Sequence, residues 1–136
     1  MTALIDTGFL LAVVSAADRA HDACATVLEN EERPLLPSVI LTELAYMIIR
    51  DIGRPHFIRL MRSVVAGELE LVFPTTQDFA RATDIMEQYA DSKLDFVDCA
   101  ISAMAERLNI SRILTVDQRD FRMIWPSHIP AFEIFP

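Results

Sequence analysis

The chain has 136 residues, of which 52% are hydrophobic, and a formal net charge of −8 at pH 7. This length and apolar content predict a single domain over residues 1–136 with its own buried core, and they exclude an intrinsically disordered chain. The acidic balance excludes a protein that binds nucleic acid tightly by charge alone, because the phosphate backbone favours Lys and Arg.

The order of the predicted elements indicates an α/β fold. In chain order the pattern predicts a strand at 3–6, helices at 9–14 and 19–31, a strand at 35–36, helices at 38–50 and 54–66, a strand at 69–73, helices at 76–89 and 95–108, and strands at 113–116 and 131–135. Asp18 and Ser38 are predicted to cap the helices that follow them. Strands separated by helices indicate a mostly parallel central sheet with both faces covered, a three-layer α/β/α sandwich.

The cysteines and the hydropathy pattern indicate a compartment. Cys24 and Cys99 lie in helical patterns without CxxC spacing, so we expect buried free thiols in a reducing environment. No apolar run reaches membrane-spanning length and no leader pattern opens the chain. We therefore expect a cytoplasmic protein that does not contact a membrane.

Two aspartates end predicted buried strands. Asp6 is the last residue of the first predicted strand, and Asp117 directly follows the fourth. Asp6 could simply cap the next helix, and Asp117 could be a turn residue. Alternatively, both carboxylates project from the carboxyl ends of sheet strands, into the crevice where open α/β folds bind ligands. Thr115 could add a hydroxyl to the same pocket.

Glu43 is the most informative single acid. Its neighbours in the 38–50 helix are almost all hydrophobic, so we expect that helix, and Glu43 with it, to be buried. An ionised Glu in such surroundings needs a partner, either an arginine or a metal ion.

Asp95 and Asp98 lie three apart at the start of a predicted helix and face the same way. A capping arrangement explains both residues, with Asp95 as the cap and Asp98 at the third helical position. Asp98 also borders the apolar stripe of the helix, closer to the interior than capping requires. Asp98 is therefore the better candidate ligand and Asp95 the better cap.

Together these acids predict a hard, oxygen-rich metal site. Four carboxylates without His or Cys suit Mg²⁺ or Mn²⁺ and not zinc. Without a cation they would repel one another, and one or two cations could activate water and clamp a phosphodiester. The chain has no Gly-rich phosphate loop and no GxSxG motif, and His21, His56 and His128 lack ligand spacing. Arg119, close behind Asp117, is the basic residue we would first expect to touch substrate phosphate.

Three fragments resemble the PIN-domain ribonucleases, and within them the VapC-type toxins of bacterial toxin–antitoxin systems. They are ALIDTGFLLA with Asp6, SVILTELAYMI with Glu43, and YADSKLDFVDCAISAMAERLNISRILTVDQRDF with Asp98 and Asp117. The resemblance covers nearly the whole chain in order, and the combination is more specific than any fragment.

The resemblance implies an α/β/α sandwich carrying a Mg²⁺- or Mn²⁺-dependent endoribonuclease. The family's acidic quartet falls on Asp6, Glu43, Asp98 and Asp117, and its hydroxyl residues fall on Thr7 and Thr115. Family members are commonly homodimers inhibited by a small antitoxin. Because many members carry a small or apolar residue where this chain has Asp95, Asp95 remains an alternative to Asp98 as the third metal acid.

The sequence therefore predicts a metal-dependent endoribonuclease, the toxin of a toxin–antitoxin pair. Two alternatives come from other classes: a catalytically idle PIN-like binding module, and another Mg²⁺- or Mn²⁺-dependent phosphohydrolase such as a DNA nuclease. Metal binding distinguishes an idle binding module from an enzyme. Parallel assays on RNA, DNA and a small phosphoester distinguish another phosphohydrolase from a ribonuclease.

Overall fold

The sheet has five strands, and every neighbouring pair in it is parallel. In this computed structural model, which describes residues 1–136, the strands are β1 (Thr2–Ile5), β2 (Arg33–Pro37), β3 (Glu70–Val72), β4 (Arg112–Leu114) and β5 (Glu133–Phe135). Their spatial order is β3-β2-β1-β4-β5. The chain therefore runs outward from β1 to one edge and then returns to the other side of β1. The topological switch point, where ligands bind in open α/β sheets, lies between β1 and β4.

Seven helices connect the strands. They are α1 (Thr7–Val14), α2 (His21–Asn30), α3 (Leu41–Asp51), α4 (Arg54–Val65), α5 (Thr76–Gln88), α6 (Phe96–Leu108) and α7 (Gln118–Met123). Parallel crossovers are right-handed, so connections that move in opposite directions across the sheet lie on opposite faces. This rule places α1 to α4 on one face and α5 to α7 on the other. The predicted three-layer sandwich with a parallel sheet is confirmed.

The core lies on both sides of the two central strands. Ala3, Leu4 and Ile5 of β1 are fully buried, because this strand has a neighbour on each edge and helices on each face. On α6, every residue from Asp98 to Ala105 is buried. The predicted free thiols Cys24 and Cys99 are both buried and unpaired, as expected. None of the helices combines the length and the hydropathy that a membrane span requires.

Several helix starts differ from the sequence prediction. Helix α2 begins at His21, and Asp18 accepts a hydrogen bond from the Ala20 N–H in the preceding turn instead of capping the helix. Ser38 opens a short 3₁₀ turn that leads into α3 and makes no side-chain cap. Helix α7 was not predicted at all. Its six residues are too few for a helical hydrophobic period to stand out.

The expectation that the 38–50 helix is buried is wrong for most of its residues. Only Leu44 and Ile48 of α3 are buried, whereas Tyr46 is 65% exposed and Ile49 is 42% exposed. The helix packs on α1 along one stripe and on α4 along another, which leaves part of its apolar surface outside. A hydrophobic helix is buried all round only when neighbours surround it, and α3 lacks neighbours on its outer face.

Candidate acidic active site

A cleft of about 190 Å³ opens at the switch point, at the carboxyl ends of β1 and β4. The six carboxylates that line it are Asp6, Glu43, Asp95, Asp98, Asp117 and Asp120. They come from far-separated parts of the chain, and the parallel sheet brings them to one edge. The four acids singled out from the sequence therefore do meet in one cleft.

Asp6 is a buried residue of this cleft and comes immediately after β1. It occupies the N-cap position of α1, but its side chain makes no capping hydrogen bond. Its carboxylate instead accepts a hydrogen bond from the Thr115 hydroxyl at 2.9 Å. Burial raises its pKa from 3.8 to about 6, although the Thr115 hydrogen bond acts in the opposite direction. The Asp6 carboxylate thus faces the ligand crevice rather than serving the helix.

Asp98 is the most perturbed acid of the cleft. Burial raises its pKa from 3.8 to about 9, with further contributions from the negative charges of Asp95 and Asp6. Asp95 is the N-cap of α6, and its carboxylate accepts the Asp98 backbone N–H at 2.9 Å. The predicted capping role of Asp95 is confirmed, and its cap fixes the backbone from which Asp98 projects.

Two threonine hydroxyls belong to the same site. The Thr115 hydroxyl, besides donating to Asp6, accepts the backbone N–H of Asp117 at 3.0 Å. The Thr7 hydroxyl is buried at the cleft wall and has no hydrogen-bond partner. A buried hydroxyl without a partner is costly, so Thr7 presents an oxygen that a ligand in the cleft would satisfy.

Glu43 reaches the cleft from the first turn of α3, but it is exposed. The expectation that it is buried is wrong for the same reason as for its helix. The alternative of an arginine partner is also wrong, because none of the ion pairs in the structure includes Glu43. Its carboxylate therefore stands at the rim of the cleft without a compensating charge.

The sequence interpretation missed Asp120, which lines the cleft from α7. Burial raises the pKa of Asp120, and the hydrogen bond and charge of Asp117 raise it further. The available signal was its spacing, since Asp120 follows Asp117 by three residues as Asp98 follows Asp95. That signal could not be used without knowing that a helix begins after Asp117.

The cleft concentrates acidic side chains that have no cationic partner. No Lys or Arg lines it, and the ion pairs of the protein all lie elsewhere. No three His, Cys, Asp or Glu side chains are clustered tightly enough to hold an ion as they stand. The donor set itself, carboxylates plus the unpartnered Thr7 hydroxyl, fits a hard divalent cation.

Arg119 does not line the acidic cleft. It lies in an adjoining groove of about 710 Å³, which borders the cleft along Asp117 and Asp120. The basic side chain expected near the substrate thus lies in the neighbouring groove and not among the acids of the cleft.

Residues 3–124 match the sequence model of the PIN domain. Because this match covers most of the chain, the protein belongs to the PIN domain family. Over 134 residues the chain is 28% identical to "Ribonuclease VapC26" of Mycobacterium tuberculosis. This alignment covers 98% of this chain and 99% of the relative.

Solved structures share the fold at lower identity. The sarcin–ricin loop cleaving toxin VapC20 of Mycobacterium tuberculosis superposes with a TM-score of 0.83 at 16% identity, over 94% of this chain and 98% of that one. VapBC2 of Rickettsia felis, solved with a DNA fragment from its promoter, matches with a TM-score of 0.72 at 14% identity over 100% of both chains.

Proposed function

We propose that this protein is a metal-dependent endoribonuclease of the VapC type, the toxin of a toxin–antitoxin pair. The observation that carries the proposal is the convergence of Asp6, Glu43, Asp98 and Asp117 in one cleft at the switch point of a PIN fold. The 28% identity with a ribonuclease over almost the full length of both chains supports RNA as substrate.

We assign two kinds of role to the residues at and behind the cleft. Asp6, Asp98 and Asp117, with Glu43 at the rim and the Thr7 hydroxyl, would hold a Mg²⁺ or Mn²⁺ ion. Such an ion, when bound, supplies a Lewis acid for the phosphate and lowers the pKa of water. Asp95 and Thr115 act through the others, by fixing the backbone of Asp98 and the carboxylate of Asp6.

The decisive assay is RNA cleavage with Mg²⁺ or Mn²⁺ against an EDTA control. We expect cleavage with the ion and none with EDTA, and we expect Asp6→Asn and Asp98→Asn to abolish it. Both variants should fold, because each replaces a carboxyl of raised pKa with a neutral isostere. Undiminished cleavage by both variants would overturn the site.

The substrate panel should contain a single-stranded RNA, a hairpin RNA, a single-stranded DNA and a small phosphoester. The hairpin RNA in this panel can be the sarcin–ricin loop, because the structural neighbour VapC20 cleaves that loop. Preferential cleavage of DNA or of the phosphoester would favour another phosphohydrolase. Failure to bind Mn²⁺ at millimolar concentration would favour an idle binding module.

We also propose that this protein is cytoplasmic, that it forms a homodimer and that it binds an antitoxin. The fold also matches a toxin–antitoxin complex from Klebsiella pneumoniae, with a TM-score of 0.67 at 18% identity over 96% of this chain and 99% of that one. This match supports an antitoxin as the partner. Exposed apolar side chains on α3 and α4, namely Tyr46, Ile49, Ile58 and Val65, support a protein contact. The mass of the protein in solution, alone and co-expressed with a candidate antitoxin, tests both.

A further inference from the structure

The groove that borders the acidic cleft combines features that the cleft lacks. It is lined by the loop between α5 and α6 and by α7, and it shares only Asp117 and Asp120 with the cleft. A substrate whose phosphate lies at the acids therefore extends naturally into this groove.

Two unpaired cations lie in the groove. Lys93, the one lysine of the chain, and Arg119 both line it, and neither forms an ion pair with a carboxylate of the protein. Five of the eleven arginines are paired elsewhere, and Arg119 is one of the six that form no ion pair. Asp91 also lines the groove, while Asp117 and Asp120 form its border with the cleft.

A large exposed aromatic residue lies two residues beyond Met123, which lines the same groove. Trp125, the only tryptophan, is 75% exposed. Its backbone N–H donates to the hydroxyl of Tyr89 at 3.0 Å, and Tyr89 lines the groove. The neighbours Ile124 and Pro126 are buried, so the indole is presented from a fixed segment rather than a loose loop. Indole left in water at such a place is suited to stack on a flat partner.

We propose that this groove binds single-stranded RNA on one side of the scissile phosphate. Lys93 and Arg119 contact phosphates, and Trp125 stacks on an unpaired base. The proposal rests on the ribonuclease function proposed above, and it deepens it. Single strands are favoured because stacking on a side chain needs a base released from its neighbours, whereas paired bases in an RNA helix are not available.

Binding is tested without cleavage, using a short unstructured RNA in EDTA at low salt. We expect saturable quenching of tryptophan fluorescence, a signal that arises from Trp125 alone. Lys93→Gln and Arg119→Gln should each weaken binding and reduce the slope of log K against log salt concentration by about 0.7. Trp125→Leu should weaken binding about tenfold, measured with fluorescein-labelled RNA, and Trp125→Phe should restore most of it.

The matched control is Arg19→Gln. Arg19 is also exposed and unpaired, but it lies beyond the far end of α1, away from the cleft. This control should bind RNA as the unaltered protein does. Equal loss of affinity in the control, unchanged binding in all groove variants, or equally tight binding of duplex RNA would each overturn the groove.

Cleavage assays separate this proposal from the proposed function. Metal-dependent cleavage with no effect of the groove variants on binding would overturn the groove and keep the nuclease. Binding that depends on Lys93, Arg119 and Trp125 without any cleavage would support the groove and overturn the nuclease.

Discussion

The Thr115 hydroxyl donates a hydrogen bond to the Asp6 carboxylate at 2.9 Å and joins the ends of the two central strands. The same oxygen accepts the backbone N–H of Asp117 at 3.0 Å. One buried hydroxyl thus positions two acids of the cleft, although Asp6 and Thr115 are 109 residues apart. The parallel pairing of Ile5 with Leu114 makes this contact possible, because the next residue of each strand then lies side by side.

Replacing Thr115 by Val tests this relationship. Valine keeps the shape but removes the hydrogen bond that lowers the pKa of Asp6, so this pKa should rise further above about 6. The acidic limb of the pH–rate profile for RNA cleavage should shift to higher pH, with activity near pH 6 about tenfold lower. Thr115→Ser keeps the hydroxyl and should keep the profile. An unchanged profile in the Val variant would show that the hydroxyl has no such role.

The raised pKa of Asp98 predicts how stability depends on pH without metal. Asp95, Asp6 and Asp120 face Asp98, and its pKa rises from 3.8 to about 9 in the folded protein. Between these values the folded state binds more protons than the unfolded chain, so the free energy of unfolding falls as the pH rises. Asp98→Asn should therefore increase that free energy in EDTA, and the increase should be larger at pH 8 than at pH 5. Urea denaturation at pH 5 and pH 8 measures it.

Two comparisons complete this test. Glu87→Gln changes an exposed acid on α5, away from the acidic cleft, and should leave the pH dependence as it is. Saturating Mn²⁺ should stabilise the unaltered protein at pH 8 but not Asp98→Asn, since a ligand stabilises only a folded state that binds it. Equal stabilisation of both by Mn²⁺ would contradict a metal role for Asp98.

Gly8 predicts a steric requirement at the switch point. A Cβ atom at Gly8 would lie 2.8 Å from Cγ2 of Val116, the residue directly before Asp117. Gly8→Ala should therefore displace the end of β4, destabilise the protein by about 1 kcal/mol and reduce cleavage. Val116→Ala removes the clashing methyl group and should recover stability and activity in the double variant. A double-mutant cycle measures the coupling, and strictly additive effects would argue against the clash.

The sequence predicted the sheet and its acids because both rest on short-range patterns. Alternating elements predict a parallel sheet, and a parallel sheet brings the ends of all strands to one edge. Asp6 and Asp117 are readable in this way. Asp120 is not, because its position depends on a short helix that follows Asp117 and has no hydrophobic period of its own.

Two acids with the same local pattern show a second limit of prediction from the sequence. Asp78 and Asp98 each occupy the third position of a helix whose N-cap, Thr75 or Asp95, binds their backbone N–H. Asp78 completes a capping box and pairs with Arg107, whereas Asp98 faces a cleft without cations. Only the tertiary packing of α5 against α6 distinguishes these two roles. The local sequence, which is alike around both residues, could not predict which acid lies in the cleft.

Asp78→Ala should therefore behave as a change of stability and not of activity. The substitution removes the capping box of α5 and leaves Arg107 without its partner, which should cost about 3 kcal/mol. Cleavage per folded molecule should stay at the level of the unaltered protein. Thermal denaturation and single-turnover cleavage measure the two quantities separately. A selective loss of cleavage would show that α5 contributes to the site.

Asp120→Asn tests the acid that the sequence interpretation missed. Asp120 lines the cleft, and its pKa is raised by burial and by Asp117. If it helps to hold the cation or its water, the variant should weaken Mn²⁺ binding and cleavage by about 10- to 100-fold. Asp84→Asn, an exposed acid of α5 outside the cleft, should leave both unchanged. Isothermal titration with Mn²⁺ and a cleavage assay at several Mn²⁺ concentrations provide the measurement. Unaltered metal affinity in Asp120→Asn would limit the metal-holding set to the four acids identified from the sequence.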